Sequence, residues 1–295
     1  MDNEKLNVVK NRLGFIAALD QSGGSTAGTL ERYGVLSSDY STEEEMFDKI
    51  HEMRSRVMTS PSFTGDQILG CILFYKTMKS MIEGKYTADY LWDDKRIVSF
   101  LKVDKGLEDE VDGVRLMKDI PDLDDQCIEA NHYHIFGTKM RSVIYAADKE
   151  GIKNIVKQQF KFAKKICSYG LVPIIEPEVD IHIDDKEEAE VILKEEIENV
   201  LKTWDQKDLI MFKFTLPDVA NFYQDLTSYD SVIKIVALSG GYELDEACTK
   251  LSENKGMIAS FSRALLQDLN VHQTDLEFNN KLKEAIDKIY EASIA

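Results

Sequence analysis

The sequence predicts an α/β protein built as a single (β/α)8 barrel, and three observations predict it. Eight short apolar runs recur along the 295 residues, with amphipathic stretches of helical spacing between them. No Pro- or Ser-rich linker, low-complexity tract or short repeat divides the chain. Seven of the eight runs close on a polar or charged residue, and such barrels keep their chemistry at the C-terminal ends of their strands.

The runs follow in order. They are "FIAALD" (15–20), "ILGCILFY" (about 69–75), "VSFLKVD" (98–104), "IFGTKMR" (135–141), "LVPIIEPE" (171–178), "LIMFKFT" (209–215), "VIKIVALS" (232–239) and "MIASFS" (257–262). The long first crossover, about 20 to 69, leaves room for extra helices, and Ser41-Thr42-Glu43-Glu44 reads as a capping box ahead of one of them. Ile152, Ile155, Val156, Phe160, Ala163 and Ile166 form a helical stripe that Gly170 closes. Ala189, Ile192, Leu193, Ile197, Val200, Leu201 and Trp204 form a second stripe. Leu276, Leu282, Ala285, Ile286 and Ile289 form a last one. The expected organisation is one barrel domain over 1–295, with a helical insertion between the first two strands and a short C-terminal helix. A doubly wound sheet is the alternative, but Gly23-Gly24 matches GxGxxG poorly.

The strand ends carry the chemistry. Asp20, Lys102, Asp104, Lys139, Arg141, Glu176, Glu178, Lys213, Ser239 and Arg263 all close a run or follow it directly. Charges between packed layers are costly unless paired, so their gathering on one rim needs an explanation. In "LIMFKFT", Ile210, Phe212 and Phe214 share one face, and Met211, Lys213 and Thr215 the other. A desolvated site disfavours an ammonium, and a neutral amine is the nucleophile that forms a Schiff base with a carbonyl. Glu176 could move the protons that expel water from the carbinolamine. Ser239-Gly240-Gly241, ahead of a helix, suits a phosphate, and Arg263 could supply a bidentate guanidinium. An ion-pair network at the barrel top and a simple turn are the structural readings of the same residues.

Two other clusters are weaker. His132-Tyr133-His134 precedes the fourth strand, so it belongs at the opposite end of the barrel and reads as a surface loop. "EPEVDIHIDDKEE" lacks the spacing and turn glycine of a calcium loop, so Asp180, Asp184 and Asp185 read as a solvated loop leading into a helix.

The bulk properties narrow the classes. A formal net charge of −17 argues against nucleic acid and anionic membranes as partners. Any anion site must be a local basic pocket. Cys71, Cys127, Cys167 and Cys248 form no CxxC pair and read as reduced structural thiols. The polar start "MDNEKLNVVKNRLGF" has no signal-peptide core, and no apolar run spans a membrane, so a cytoplasmic protein is expected.

"GFIAALDQSGGST", "GKYTADYL", "FLKVDKG", "IFGTKMRS", "GLVPIIEPEV", "FKFTLP", "LSGGY" and "FSRAL" occur in that order. On these motifs the chain resembles the class I fructose-1,6-bisphosphate aldolases, in their shorter bacterial form, over nearly its whole length. The resemblance implies a (β/α)8 barrel. It implies reversible cleavage of fructose 1,6-bisphosphate to dihydroxyacetone phosphate and glyceraldehyde 3-phosphate in glycolysis and gluconeogenesis, with no metal and no cofactor. It implies Lys213 as the Schiff-base lysine, Glu176 as its acid/base, Glu178 as the second glutamate, and Asp20 as the group assisting carbon–carbon cleavage. Lys139 and Arg141 would charge the site, and Lys102 would line it. Ser239, Gly240 and Arg263 would hold the ketose phosphate, with Ser22 and Ser25 near the distal one.

The pattern departs in three places. The basic pair that animal enzymes place after the serine matching Ser25 is missing from "TAGTLERYG", and Arg32 is not at a matched position. "FSR" stands for "YGR", so Ser262 replaces a glycine while keeping a backbone N–H. The chain stops at "IYEASIA", without the animal enzymes' long tail, so neither that tail's role nor the animal tetramer carries over. A homo-oligomer stays open. The alternatives are a Schiff-base lyase for an epimeric ketose bisphosphate of the tagatose type, a metal-dependent lyase using the carboxylates at 176–185, and a non-catalytic sugar-phosphate-binding barrel.

Overall fold

A computed structural model describes residues 2–22 and 24–295, with the Ser25 side chain outside that description. Eight parallel strands form a nearly closed barrel: β1 (Phe15–Leu19), β2 (Ile68–Leu73), β3 (Val98–Lys102), β4 (Gly137–Ile144), β5 (Val172–Val179), β6 (Ile210–Thr215), β7 (Val232–Leu238) and β8 (Met257–Ala259). They neighbour one another in chain order. The α/β barrel expected from the sequence is the fold observed.

Period-2 alternation divides the strand residues between two apolar layers. Ile16, Val98, Phe100, Val172, Ile174, Met211, Val236 and Ile258 pack together inside the barrel. Phe15, Leu19, Met140, Ile175, Phe212 and Phe214 face the surrounding helices. The face division read for Lys213 therefore holds. α1 (Asn3–Asn11) plugs the N-terminal end of the barrel: Val8 and Val9 join the interior layer, and Lys5 Nζ donates to the His134 carbonyl at 2.8 Å.

Two helices fill the first crossover, α2 (Gly24–Tyr33) and α3 (Glu43–Thr59). Thr42 caps α3 by accepting from Glu45 N–H at 3.1 Å. α4 (Tyr75–Lys79) and α5 (Thr87–Asp93) follow β2, and α6 (Leu123–His132) precedes β4. α7 (Lys149–Ser168), α8 (Lys186–Leu201), α9 (Leu244–Ser252), α10 (Arg263–Leu266) and α11 (Asp275–Ser293) complete the set. Between β6 and β7 a 3-10 turn, Gln224–Ser228, stands where the other crossovers carry an α-helix.

The structure differs from the sequence expectations in several places. Thr42, not Ser41, caps α3; β2 ends at Leu73, with Tyr75 already in α4; and β8 ends at Ala259, with Arg263 opening α10. β4 runs on to Ile144, past Arg141, because its end pairs with Val179 of β5 and, antiparallel, with Val114. Leu276 is 71% exposed; α11 begins at Asp275, and Phe278 takes the core place instead.

The pairing around β5 places the rim residues. β4 and β5 pair over eight residues, with Arg141 beside Glu176 and Val143 beside Glu178. Gly137 permits this approach, since a Cβ there would meet the Val172 carbonyl at 2.1 Å. The ladder between β5 and β6 covers only Ile174 with Met211 and Ile175 with Phe212. Pro173 and Pro177 have no N–H to offer it. Higher up, Thr215 Oγ1 bridges instead, donating to the Val179 carbonyl at 2.6 Å and accepting from its N–H at 3.0 Å.

Candidate active site

The C-terminal ends of the strands surround a cavity of about 440 Å³. Asp20, Ser22, Lys102, Lys139, Arg141, Glu176, Glu178, Lys213, Ser239, Gly240 and Arg263 all line it. Ser25 also carries an expectation from the sequence, and its side chain lies outside the described residues.

Three neighbouring strands build the centre. The β5–β6 register continued by one residue sets Glu176 beside Lys213, and Lys213 Nζ lies 3.1 Å from Glu176 Oε1. Lys139, on β4, sits between two carboxylates, 2.7 Å from Glu176 Oε2 and 2.8 Å from Asp20 Oδ2. Glu176 and Lys213 are only 3% and 4% exposed, so these contacts act with little screening by water. Buried Gln159 of α7 accepts the Glu176 N–H through Oε1 at 3.1 Å and fixes the strand at this point.

The charges hold one another ionised. Burial opposes the charge on Glu176, but Lys139, Lys213 and Arg141 together keep its carboxyl below the usual range. Burial acts the same way on Asp20, and Lys139 and Lys213 again hold that carboxyl well below the ordinary range. The Lys139 ammonium is disfavoured by burial, yet Asp20 and Glu176 raise its affinity for the proton well above normal. Such a triad is a route by which a proton passes between an amine and a carboxylate without crossing bulk water.

Cations flank this centre. Lys102 Nζ pairs with Asp104 Oδ1 at 2.7 Å, and Arg141 Nε with Glu178 Oε2 at 2.5 Å. Against its own desolvation, the Glu178 pair drives Arg141 further toward the charged form. Gly240 (φ +63°) and Gly241 (φ +129°) turn the loop after β7 through the left-handed region, beside Ser239 and near Arg263. α9 starts at Leu244, later than the glycines, so the loop itself presents the backbone amides there.

Four residues to which the sequence reading gave no role in the site also matter. Arg32 lines the cavity, its Nη2 3.3 Å from Thr29 Oγ1 one turn back on α2. Helical spacing was the signal for it. Gln21 and Ser262 line the same wall. Arg54 is buried behind them on α3, within the stripe of Ile50, Met53 and Val57; a charge in an apolar stripe was its signal. The two weaker clusters lie elsewhere. The His134 ring pairs with Asp89 at 2.8 Å on the surface. Asp180 and Asp185 accept backbone N–H groups of His182 and Ala147 at 2.8 and 2.7 Å. Among the described residues, no group of three or more His, Cys, Asp or Glu side chains could hold a metal ion. No helix among them is long and apolar enough to cross a membrane.

Comparison with known proteins shows the family. The family model for fructose-bisphosphate aldolase class-I matches residues 6–217. The class 1 fructose-bisphosphate aldolase of Porphyromonas gingivalis is 52% identical over 294 residues, covering 100% of both chains. Among solved structures, fructose-bisphosphate aldolase from Plasmodium falciparum, crystallised in complex with TRAP and a small-molecule inhibitor, aligns with a TM-score of 0.75. That alignment covers 98% of this chain and 93% of the other; at 19% identity it speaks for the fold alone.

Proposed function

This chain belongs to the class-I fructose-bisphosphate aldolases, and we propose that it cleaves fructose 1,6-bisphosphate reversibly, without metal, through a Schiff base on Lys213. The observation that carries the reading is the Lys213–Glu176 contact of 3.1 Å, buried in a cavity with cations to either side.

The steps follow from the geometry. Lys213 Nζ passes a proton toward Glu176 and, as a neutral amine, attacks the C2 carbonyl. Glu176 returns a proton to the carbinolamine oxygen, water leaves, and an iminium remains. Asp20 takes the proton of the C4 hydroxyl; the C3–C4 bond breaks, its electron pair moves into the iminium, and glyceraldehyde 3-phosphate departs. The enamine is then protonated at C3, and water releases dihydroxyacetone phosphate from Lys213. Lys139 keeps Asp20 and Glu176 ionised and apart. Glu178 orients Arg141.

Ser239, Gly240 and Arg263 are assigned to the ketose phosphate, Ser22 and Ser25 to the distal end, and Lys102 to the substrate pocket. Arg32 adds a further cation to the cavity lining. The sugar phosphate is the proposed partner, in a cytoplasmic role within glycolysis.

The test is chemical trapping. EDTA-treated protein is incubated with dihydroxyacetone phosphate, reduced with borohydride and mapped by mass spectrometry. The expected result is one stable adduct, on Lys213. Folded protein with no adduct, or with an adduct elsewhere, overturns the assignment.

A further inference from the structure

The barrel closes where the first strand meets the last, and that seam runs through the cavity wall. Among the described residues, β1 and β8 share no ladder, and a single backbone hydrogen bond crosses from β1 to the chain just after β8, from Ala18 N–H to the Phe261 carbonyl at 3.4 Å. Side chains take over from there. Gln21 Nε2 donates to Ser262 Oγ at 2.6 Å. Arg54, 1% exposed, donates through Nη2 to the Gln21 carbonyl and through Nη1 to Thr77 Oγ1 at 2.8 Å. Nη2 also lies 3.5 Å from Gln21 Oε1.

A guanidinium buried this deeply is expensive to maintain. Burial brings the Arg54 pKa down to about 10, against the opposing pull of Asp20, so it remains a cation at neutral pH. Its contacts join α3 to the loop after β1 and to the middle of α4. Through Gln21 they reach the loop after β8. Gln21 follows Asp20 in the chain, and Ser262 precedes Arg263.

We infer that Arg54, Gln21 and Ser262 form a clamp across the β1–β8 seam that sets the spacing between the two phosphate grips. Arg54 and Gln21 are thus positioning residues for a substrate with a phosphate at each end. The inference rests on the reading of the cavity as a ketose-bisphosphate site. A ketose with one phosphate engages a single grip and does not sense the spacing, whereas the bisphosphate does.

The test compares kcat/KM for fructose 1,6-bisphosphate and fructose 1-phosphate in Gln21→Ala, Ser262→Ala, their double variant, Arg54→Lys and Arg54→Met. Each single variant at the seam is expected to lower kcat/KM for the bisphosphate about tenfold, mainly through KM, because misplacement of a remote binding group falls on productive binding. The loss for the monophosphate should stay below about threefold by the same argument. The double variant should be no worse than either single one, since both remove the same bond. Arg54→Met should reproduce the discrimination loss, and Arg54→Lys should restore part of it. If Arg54→Met does not fold, the two seam variants decide. Equal losses on both substrates, or none, in folded variants overturn the clamp. Failure of the unaltered protein to cleave the bisphosphate overturns the underlying reading instead.

Discussion

Replacing Lys139 with methionine leaves Asp20 and Glu176 buried side by side without the cation they share. Removing one partner of a buried pair costs about 3–5 kcal/mol. The sign with pH follows from the shifts. Both carboxyls are held below their ordinary values, so their stabilising pairs are fully formed above that ordinary range and are lost as pH falls toward the depressed values. Lys139→Met should therefore be most destabilised near neutrality, and the gap to the parent should narrow at low pH as Asp20 and Glu176 protonate. Urea titrations near neutrality and below about pH 4, inside that window, measure this; a gap that widens in acid contradicts it. Glu176→Gln keeps the shape but not the proton, and should lower kcat by about 10²- to 10⁴-fold. Single-turnover trapping would place the loss before the iminium. Lys213 was legible in the sequence because a strand's alternation is local. The convergence of Asp20, Lys139 and Glu176 on one cluster was legible because all three stand at strand ends in one kind of barrel. Arg54 was not, since its partners in the loop after β1 and in α4 are set by how α3 lies on the barrel.

At the scale of elements, α11 shows how one residue out of phase misplaces the start of a stripe. The stripe read from Leu276 onward is right from Leu282 to Ile289, but Leu276 stands two residues, about 200° of helix, from Phe278, so Phe278 faces the core and Leu276 does not. Phe278→Ala should cost about 3–5 kcal/mol, with its ring lost from beneath Arg56 and Tyr33. Leu276→Ala should stay within about 0.5 kcal/mol of the parent. Chemical denaturation of the two variants separates these outcomes, and a comparable loss in both would mean that the helix packs differently. The end of β4 was misjudged for a related reason. Nothing local marks a strand's last residue when its neighbour continues alongside, and β5 does so up to Val179. The loop after β7 makes a similar point for function. Gly240 lies at φ +63°, and a Cβ there would meet Ile181 Cγ2 at 2.8 Å. Gly240→Ala should raise KM for the bisphosphate while sparing the borohydride adduct on Lys213. Loss of the adduct would show that the loop supports the reacting centre as well.

For the whole molecule, the charge balance is the constraint. The chain carries −17 overall and yet gathers Lys102, Lys139, Arg141, Lys213 and Arg263 around one opening. An acidic shell keeps polyanions away in general and leaves one place where a small phosphorylated sugar is favoured. Because the proposed chemistry uses an amine and carboxylates, prolonged EDTA treatment should leave the cleavage rate unchanged. A loss restored by a divalent ion would contradict the Schiff-base route. The seam adds a consequence in time. At the seam the cavity wall joins Asp20 and Gln21, near the start of the chain, to Ser262 and Arg263, near its end. A ribosome making this protein finishes Lys139, Glu176 and Lys213, the centre to which the proposed chemistry is assigned, well before it makes Arg263. Until the last strand emerges, the nascent barrel has its reactive amine but lacks one side of its lock, so substrate selection is the final property the growing chain acquires.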